Sequence, residues 1–297
     1  MQTPSDSKMK YIVQTDSINF LREALKSKCA GVRFGAEFCE QRIPNLDHLM
    51  QAYEETVNAG KSFSYSIPIL SNIGIEKIRP QYEYLKKQGG VEVVIGDFGA
   101  LNLTQNTEGL KLRLGRPRVY IPGRSPWSQI TRLPNQNFFT KRKVEKIFYQ
   151  TSLNYLRSIE FYKKLGVTGA DVDWIPKCFP QYNKIIKNGF KLSIHSQVVP
   201  IAVTMRCHTA RFTGESSPTL CTKPCLRKVF NIRQKELGKS FILNGNVIYR
   251  QVEAQSKEIR RLMNTGISEL IIPMGSVSKI DDVQGIEEAI AALSSGA

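Results

Sequence analysis

No stretch of the 297-residue chain approaches the roughly eighteen consecutive apolar residues that a membrane span requires. The N-terminal run MQTPSDSKMKYIVQTDS also lacks an apolar core of signal-peptide length, so the expected compartment is the cytoplasm. Neither G-x-G-x-x-G nor G-x-x-x-x-G-K-[ST] occurs, which removes the glycine-built phosphate cradles of nucleotide-binding sheets. H-E-x-x-H and G-x-S-x-G are missing as well, so the sequence encodes neither a zinc-activated water nor a nucleophile elbow. Low-complexity tracts and internal repeats are absent. Negative charge is scarce: 26 Asp and Glu stand against 42 Lys and Arg, leaving +16. Such a balance accompanies polyanion binding, although positive charges spread along faces such as EIRRLMNTG and KKQGG also serve solubility.

What is present is enough for a full core, since 41% of the residues are hydrophobic. Short apolar runs alternate with amphipathic helical repeats along the whole chain. Eight runs read as strands: KYIVQ (10–14), GVRFG (31–35), SFSYSI (62–67), VEVVIGD (91–97), KLRLG (111–115), GADVDW (169–174), KLSIHS (191–196) and ELIIPM (269–274). Between most of them, INFLREALKS, LDHLMQAYEETVNAG, IRPQYEYLKKQGG, FPQYNKIIKNG and SKEIRRLMNTG carry apolar residues three and four apart, and several end in Gly. The pattern predicts an α/β chain forming a single (β/α)8 barrel of the TIM type over 1–297, with an open doubly wound sheet as the alternative. In a barrel the chemistry sits on the loops after the strands, which groups Glu37, Cys39, Asp97 and the region after the seventh strand on one rim.

One segment breaks the rhythm. Residues 116–160, after the fifth strand, form an insertion too long for a simple connection. It carries Arg116, Arg118, Arg124, Arg132, Lys141, Arg142 and Lys143 interleaved with Tyr120, Trp127, Phe138, Phe139 and Tyr149. Two readings stand: a basic surface with stacking platforms, or an extended loop leading into a long helix with buried aromatics and solvated charges.

Cysteine is concentrated. Three of six, Cys207, Cys221 and Cys225, fall in MRCHTARFTGESSPTLCTKPC. Pro224 lies between the last two, and the Gly214 and Pro218 loop lets Cys207 fold back, a pattern that suggests metal binding over packing. In a reducing compartment a disulfide frame is not expected. A tetrathiolate site needs a fourth ligand. Cys29 precedes a strand and lies on the opposite rim, whereas Cys39 and Cys178 both follow strands, and barrel placement leaves these two open. His195, on the seventh strand, has no carboxylate within sequence reach to orient it, and His208 adjoins Cys207.

The segments FGAEFCEQR, VIGDFGALNL, VPIAVTMRCHTAR, CTKPC and KSFILNG, in this order, resemble the UbiV-type proteins of anaerobic ubiquinone biosynthesis, within family thirty-two of the unassigned peptidases. The resemblance implies a barrel holding a 4Fe-4S cluster on one early and three late cysteines, which match Cys39, Cys207, Cys221 and Cys225. The loop between Cys207 and Cys221 is one residue longer than the usual spacing. The resemblance further implies oxygen-independent hydroxylation of a ubiquinone precursor or other small aromatic ring, with prephenate as oxygen source in similar systems. A heterodimer with a related iron-sulfur barrel is the implied partnership. Asp97, Asn102, Arg211 and Asn244 lie in the matching segments at strand ends and are the expected polar groups lining the cavity. No individual catalytic residue is assigned. Relatives that hydroxylate RNA bases supply a second reading, which the basic insertion fits. A non-catalytic electron-transfer partner is a third, and a structural zinc is the rival to the cluster. Peptidase activity has no support in the residues.

Overall fold

The computed structural model describes residues 9–104, 108–126, 137–215, 221–236 and 238–294. Eight parallel strands close a barrel: β1 (Lys10–Thr15), β2 (Gly31–Phe34), β3 (Ser62–Ile67), β4 (Val91–Ile95), β5 (Leu110–Leu114), β6 (Val167–Asp173), β7 (Lys191–His195) and β12 (Glu269–Pro273). Neighbours run β1-β12-β7-β6-β5-β4-β3-β2, so seven consecutive strands neighbour one another in sequence order and β12 closes the ring between β7 and β1. All eight coincide with the apolar runs expected to be strands.

Helices α1 (Ile18–Lys26), α2 (Leu46–Asn58), α3 (Asn72–Gln88), α4 (Phe98–Leu103), α6 (Leu156–Lys164), α7 (Phe179–Lys187), α9 (Ser256–Met263) and α10 (Val283–Ser294) connect or follow the strands. Their apolar stripes pack on the outer barrel wall, as Leu21, Leu49, Leu85, Ile159, Ile185 and Leu262 do, all at 1% exposure or less. Apolar residues such as Val32, Leu112, Val172 and Ile194 belong to the same buried core. Alternate residues on those strands, including Arg33, Arg113 and Asp171, bond with one another across the barrel interior.

The region after β7 departs from the sequence expectation. It forms a four-stranded antiparallel sheet in the order β8-β11-β10-β9, made of β8 (Val198–Val203), β9 (Phe230–Gln234), β10 (Lys239–Asn244) and β11 (Val247–Gln251). A tight hairpin joins β10 to β11, with Asn244 opposite Val247 and Gly245 at φ +65°, the conformation that a II′ turn needs at its first central position. FNIRQ alternates half-buried and exposed residues, a period-two signal that the cysteine run overshadowed. A short helix, α8 (His208–Phe212), follows β8, with Cys207 as its N-cap. The sheet lies over the C-terminal mouth of the barrel, because Asn244 to Val247 and Tyr249 line one cavity together with the ends of β1, β2 and β12.

The 116–160 segment divides. Arg116, a solvated charge in both readings of the segment, is instead buried at 2% exposure in the barrel mouth, and Arg124 follows it inward to the same acid, Asp173. Arg118 lies over the Phe98 ring, its guanidinium carbon 3.7 Å from the centroid. The part that matches the expectation is α5 (Phe138–Phe148), which buries no side chain and exposes Phe138, Phe139 and Ile147 among Lys141, Arg142 and Lys143. Trp127, Arg132 and Pro218 lie outside the described residues.

Candidate functional site at the barrel mouth

Four of the six cysteines lie near enough to act on one another's charge. Cys39 precedes a 3-10 turn (Glu40–Arg42) after β2, Cys207 caps α8, and Cys225 sits in a second 3-10 turn (Pro224–Leu226), four residues after Cys221. The field at Cys225 includes contributions from Cys39, Cys207 and Cys221, and Cys39 also feels Cys207 and is felt by Cys221. Left-handed Lys223 (φ +58°) turns the chain between Cys221 and Cys225. The remaining two cysteines stay apart. Cys29 is buried beneath α1, with its thiol donating to the Ala24 carbonyl at 3.2 Å, and the neighbours of Cys178 are Tyr182, Asp173 and Arg124. Of the two rim candidates the sequence leaves open, Cys39 acts on the charge of Cys221 and Cys225, whereas the groups that act on Cys178 are Tyr182, Asp173 and Arg124.

The sulfurs have donors nearby, but burial opposes their thiolate form. Backbone amides of Ala210 and Lys223 donate to the sulfurs of Cys207 and Cys221, each at 3.4 Å. Burial pushes the Cys39 thiol upward, against backbone donors at Gln41 and Arg42, and pushes that of Cys225 to about 11 against the pull of Arg42. Deprotonating these groups therefore needs a strong positive partner, which a bound metal provides. Arg42 is held by Asp16 through two bonds of 2.6 and 2.7 Å. Burial works against its charge, yet Asp16 and the nearby Cys225 raise its pKa. Among the described residues, no three His, Cys, Asp or Glu side chains converge in a way that would hold a single metal ion.

Beside the cysteines is a cavity of about 100 Å³, lined by Gln14, Glu37, Phe38, Cys39, Arg42, Arg116 and Tyr249 among others. Its floor is an ion-pair network. Arg116 donates to both oxygens of Glu37 at 2.6 Å, to Asp173 at 3.1 Å and to the Val198 carbonyl at 3.0 Å. Arg124 reaches the other Asp173 oxygen at 2.5 Å. Burial opposes the Asp173 carboxylate, but Arg124 and Arg116 outweigh it and hold its pKa below the ordinary value. Gln14 lines the same cavity with a buried Oε1 that has no hydrogen-bond partner among the described residues.

Deeper inside, Arg33 on β2 pairs with Asp171 on β6, strands that are not neighbours in the ring, so this contact crosses the barrel. His195 also meets Asp171, its Nε2 2.8 Å from Oδ2. A carboxylate does orient His195, from the adjacent strand, which sequence distance had hidden. Burial, with Arg116 and Arg33 nearby, holds His195 well below its ordinary pKa, which favours the neutral ring. Sequence reading passed over this network. Its signal was charge inside otherwise apolar strands: Arg33 in GVRF, Arg113 in LKLRL, Asp171 and Asp173 in VTGADVD.

The other expected polar residues have separate places. Asp97 caps α4, accepting from Gly99 N at 2.6 Å and Ala100 N at 3.4 Å, and Asn102 is exposed on that helix. Neither residue lines the cavity beside Cys39. Arg211 is exposed in the last turn of α8. Asn244 lines the cavity, and its side-chain amide donates to the Cys225 carbonyl at 2.6 Å, so it fastens the cysteine turn to the hairpin. His208 sits beside Phe212, with ring centroids 6.4 Å apart.

No family model matches the chain. No curated protein matches it either. Among solved structures it is similar to a U32 peptidase, with 13% identity over 93% of this chain and 96% of that chain at a TM-score of 0.46. It is also similar to a thiamine phosphate pyrophosphorylase from Pyrococcus furiosus, with 9% identity over 98% of both chains at 0.46. A third is the dihydropteroate synthase from Thermus thermophilus in complex with 4-aminobenzoate, with 11% identity over 97% of this chain and 93% of that chain at 0.41. The barrel itself stands on its own strand order.

Proposed function

We propose that this chain holds a 4Fe-4S cluster on Cys39, Cys207, Cys221 and Cys225 and serves in oxygen-independent hydroxylation of a small aromatic substrate, with a related iron-sulfur barrel as partner. The observation that supports the reading is that Cys39, Cys207 and the Cys221–Cys225 turn lie near enough to act on one another's charge, with Cys39 lining the mouth cavity. A single tetrahedral zinc, with bonds of about 2.3 Å, draws its thiolates to within about 4 Å of one another. Among the described residues no such group of three occurs. A four-iron cluster binds each thiolate to a different iron, and a structural zinc on the same four thiolates is the rival that iron, sulfide and zinc analysis separates. The backbone donors to Cys207 and Cys221 and the guanidinium of Arg42 offset thiolate charge in the same direction.

When bound, the cluster supplies one-electron transfer. The chain's own residues shape the space beside it. Arg116 locks Glu37 and Asp173 into the cavity floor, the Phe38 and Tyr249 rings meet edge to face with centroids 6.1 Å apart, and Gln14 Oε1 offers an acceptor. Hydroxylation and the partner barrel rest on the sequence resemblance of the FGAEFCEQR, VPIAVTMRCHTAR and CTKPC segments.

Anaerobic purification tests the reading, with visible absorbance, iron and sulfide measured on wild type, Cys39→Ala and Cys178→Ala. The expected outcome is loss of colour and iron in Cys39→Ala and retention in Cys178→Ala. A full cluster in Cys39→Ala, or a colourless wild-type protein rich in zinc, overturns it. The exposed, basic α5 favours a second reading, hydroxylation of an RNA base, since Phe138 and Phe139 are 69% and 80% exposed. Copurified RNA that is released steeply by salt supports that substrate class, and tight copurification of a second barrel without RNA supports the first.

A further inference from the structure

α5 stands off the barrel and leaves a groove of about 740 Å³ behind it, within the usual range for small-molecule sites. One wall is apolar, with Phe138, Val144 and Phe148 of α5 facing Tyr149, Ile175 and Pro176. Five cationic side chains line the groove, Lys141, Arg142, Lys177, Lys239 and Arg250, against two acids, Glu145 and Glu258. Both acids have other partners: Glu145 pairs with Lys177, and Glu258 accepts from Trp174 Nε1 at 3.0 Å.

Arg250 is the informative member. Tyr249 and Arg250 alternate along β11, so Tyr249 lines the mouth cavity while Arg250 lines this groove on the opposite face of the sheet. Its Nε is buried with no hydrogen-bond partner, and no carboxylate lies within ion-pair distance among the described residues. Burial holds the guanidinium below its ordinary pKa, only partly offset by the more distant Asp173 and Tyr149. A half-buried cation without a counter-ion is costly unless a ligand supplies the anion.

We propose that this groove binds an organic anion, an aromatic or branched apolar body bearing one carboxylate or phosphate, with the anionic group held by Arg250 and the body lying against Val144 and Phe148. Guanidinium forks suit both oxyanions, and the apolar wall discriminates against inorganic ions. This site is separate from the cysteines and does not depend on the cluster.

Calorimetric titration of the full chain with phenyl phosphate, phenylacetate, inorganic phosphate and benzyl alcohol tests it. At least one of the two aromatic anions is expected to bind roughly tenfold or more tightly than inorganic phosphate or the neutral alcohol. Which of them binds more tightly identifies phosphate or carboxylate as the natural head group. Arg250→Leu is expected to lose roughly ten- to hundredfold in affinity, without a lower thermal midpoint, because no ion pair is removed. Should Arg250→Leu fail to fold, Lys239→Gln and Val144→Ser provide the same reading at the head-group and body ends, each with a smaller loss. Unchanged affinity in these variants, or no binding of either aromatic anion up to about 10 mM, overturns the proposal. Binding of a uridine oligonucleotide in place of the small anions, abolished by Arg250→Leu, also overturns it and assigns the groove to RNA.

Discussion

Replacing Arg116 by methionine probes the cavity floor most directly. Its guanidinium donates four hydrogen bonds at 2.6 to 3.1 Å, two of them to Glu37 and one to Asp173. Arg116 and Asp173 are almost fully buried, and the Glu37 side chain is 9% exposed. Asp173 keeps Arg124 after the substitution, but Glu37 keeps no other ion pair among the described residues. Leaving one carboxylate buried and unpaired costs about 3 to 5 kcal/mol. Adding Glu37→Gln removes the stranded charge, so the double variant is expected to recover about 1 to 3 kcal/mol of that loss. Urea unfolding followed by far-UV circular dichroism, under anaerobic conditions, measures both. A loss below about 1 kcal/mol for Arg116→Met, with strictly additive Glu37→Gln, is the behaviour of a solvated surface pair and refutes the buried-network account.

Three further outcomes follow from the same coordinates. His195 has a folded-state pKa well below its ordinary value, so on acidification the unfolded chain takes up a proton that the folded chain refuses. Stability therefore declines as pH falls below about 6.5, by at most about 1.4 kcal/mol per pH unit from this group. His195→Gln should show a shallower decline in urea midpoint between neutral and mildly acidic pH, and an identical slope contradicts the assignment. Asn244→Ala removes the bonds to the carbonyls of Cys225 and Lys228 and is expected to cost about 1 to 3 kcal/mol. Anaerobic iron content should fall with it, whereas iron content and stability both at wild-type level contradict the fastening role. Gly31→Ala would place a methyl group 1.9 Å from Ser62 Oγ and 2.5 Å from its carbonyl oxygen at the β2–β3 seam. The expected loss is about 1 to 3 kcal/mol or more by thermal unfolding, and a neutral effect contradicts the close seam.

The eight barrel strands were legible because each is a short apolar run set between helical repeats, and the helical stripes are local periodicities. The cap sheet was not read. Strands β9 and β11 are half exposed and the β8–β9 connection runs through the late cysteines, so the apolar signal is weaker, although the Gly245-Asn246 turn and the alternation in FNIRQ were available. Asp97 shows the limit of arguing from a strand end. A carboxylate there serves the helix behind it as readily as the cavity, and only the bonds to Gly99 and Ala100 distinguish the two.

The sequence by itself determined the barrel, the cluster of three late cysteines and the excess of positive charge, because these are properties of short segments or of composition. Tertiary structure decided which distant groups meet. It set Cys39, in the loop after β2, within electrostatic reach of the late cysteines and left Cys178 with Tyr182 and Asp173. It also turned Arg116 and Arg124 inward to Asp173 and left Arg250 without an ion-paired acid among the described residues. Closing a barrel sets strands far apart in sequence across a common interior, and the Coulomb energy and desolvation of a buried charge depend on that closure, which no local run of residues records.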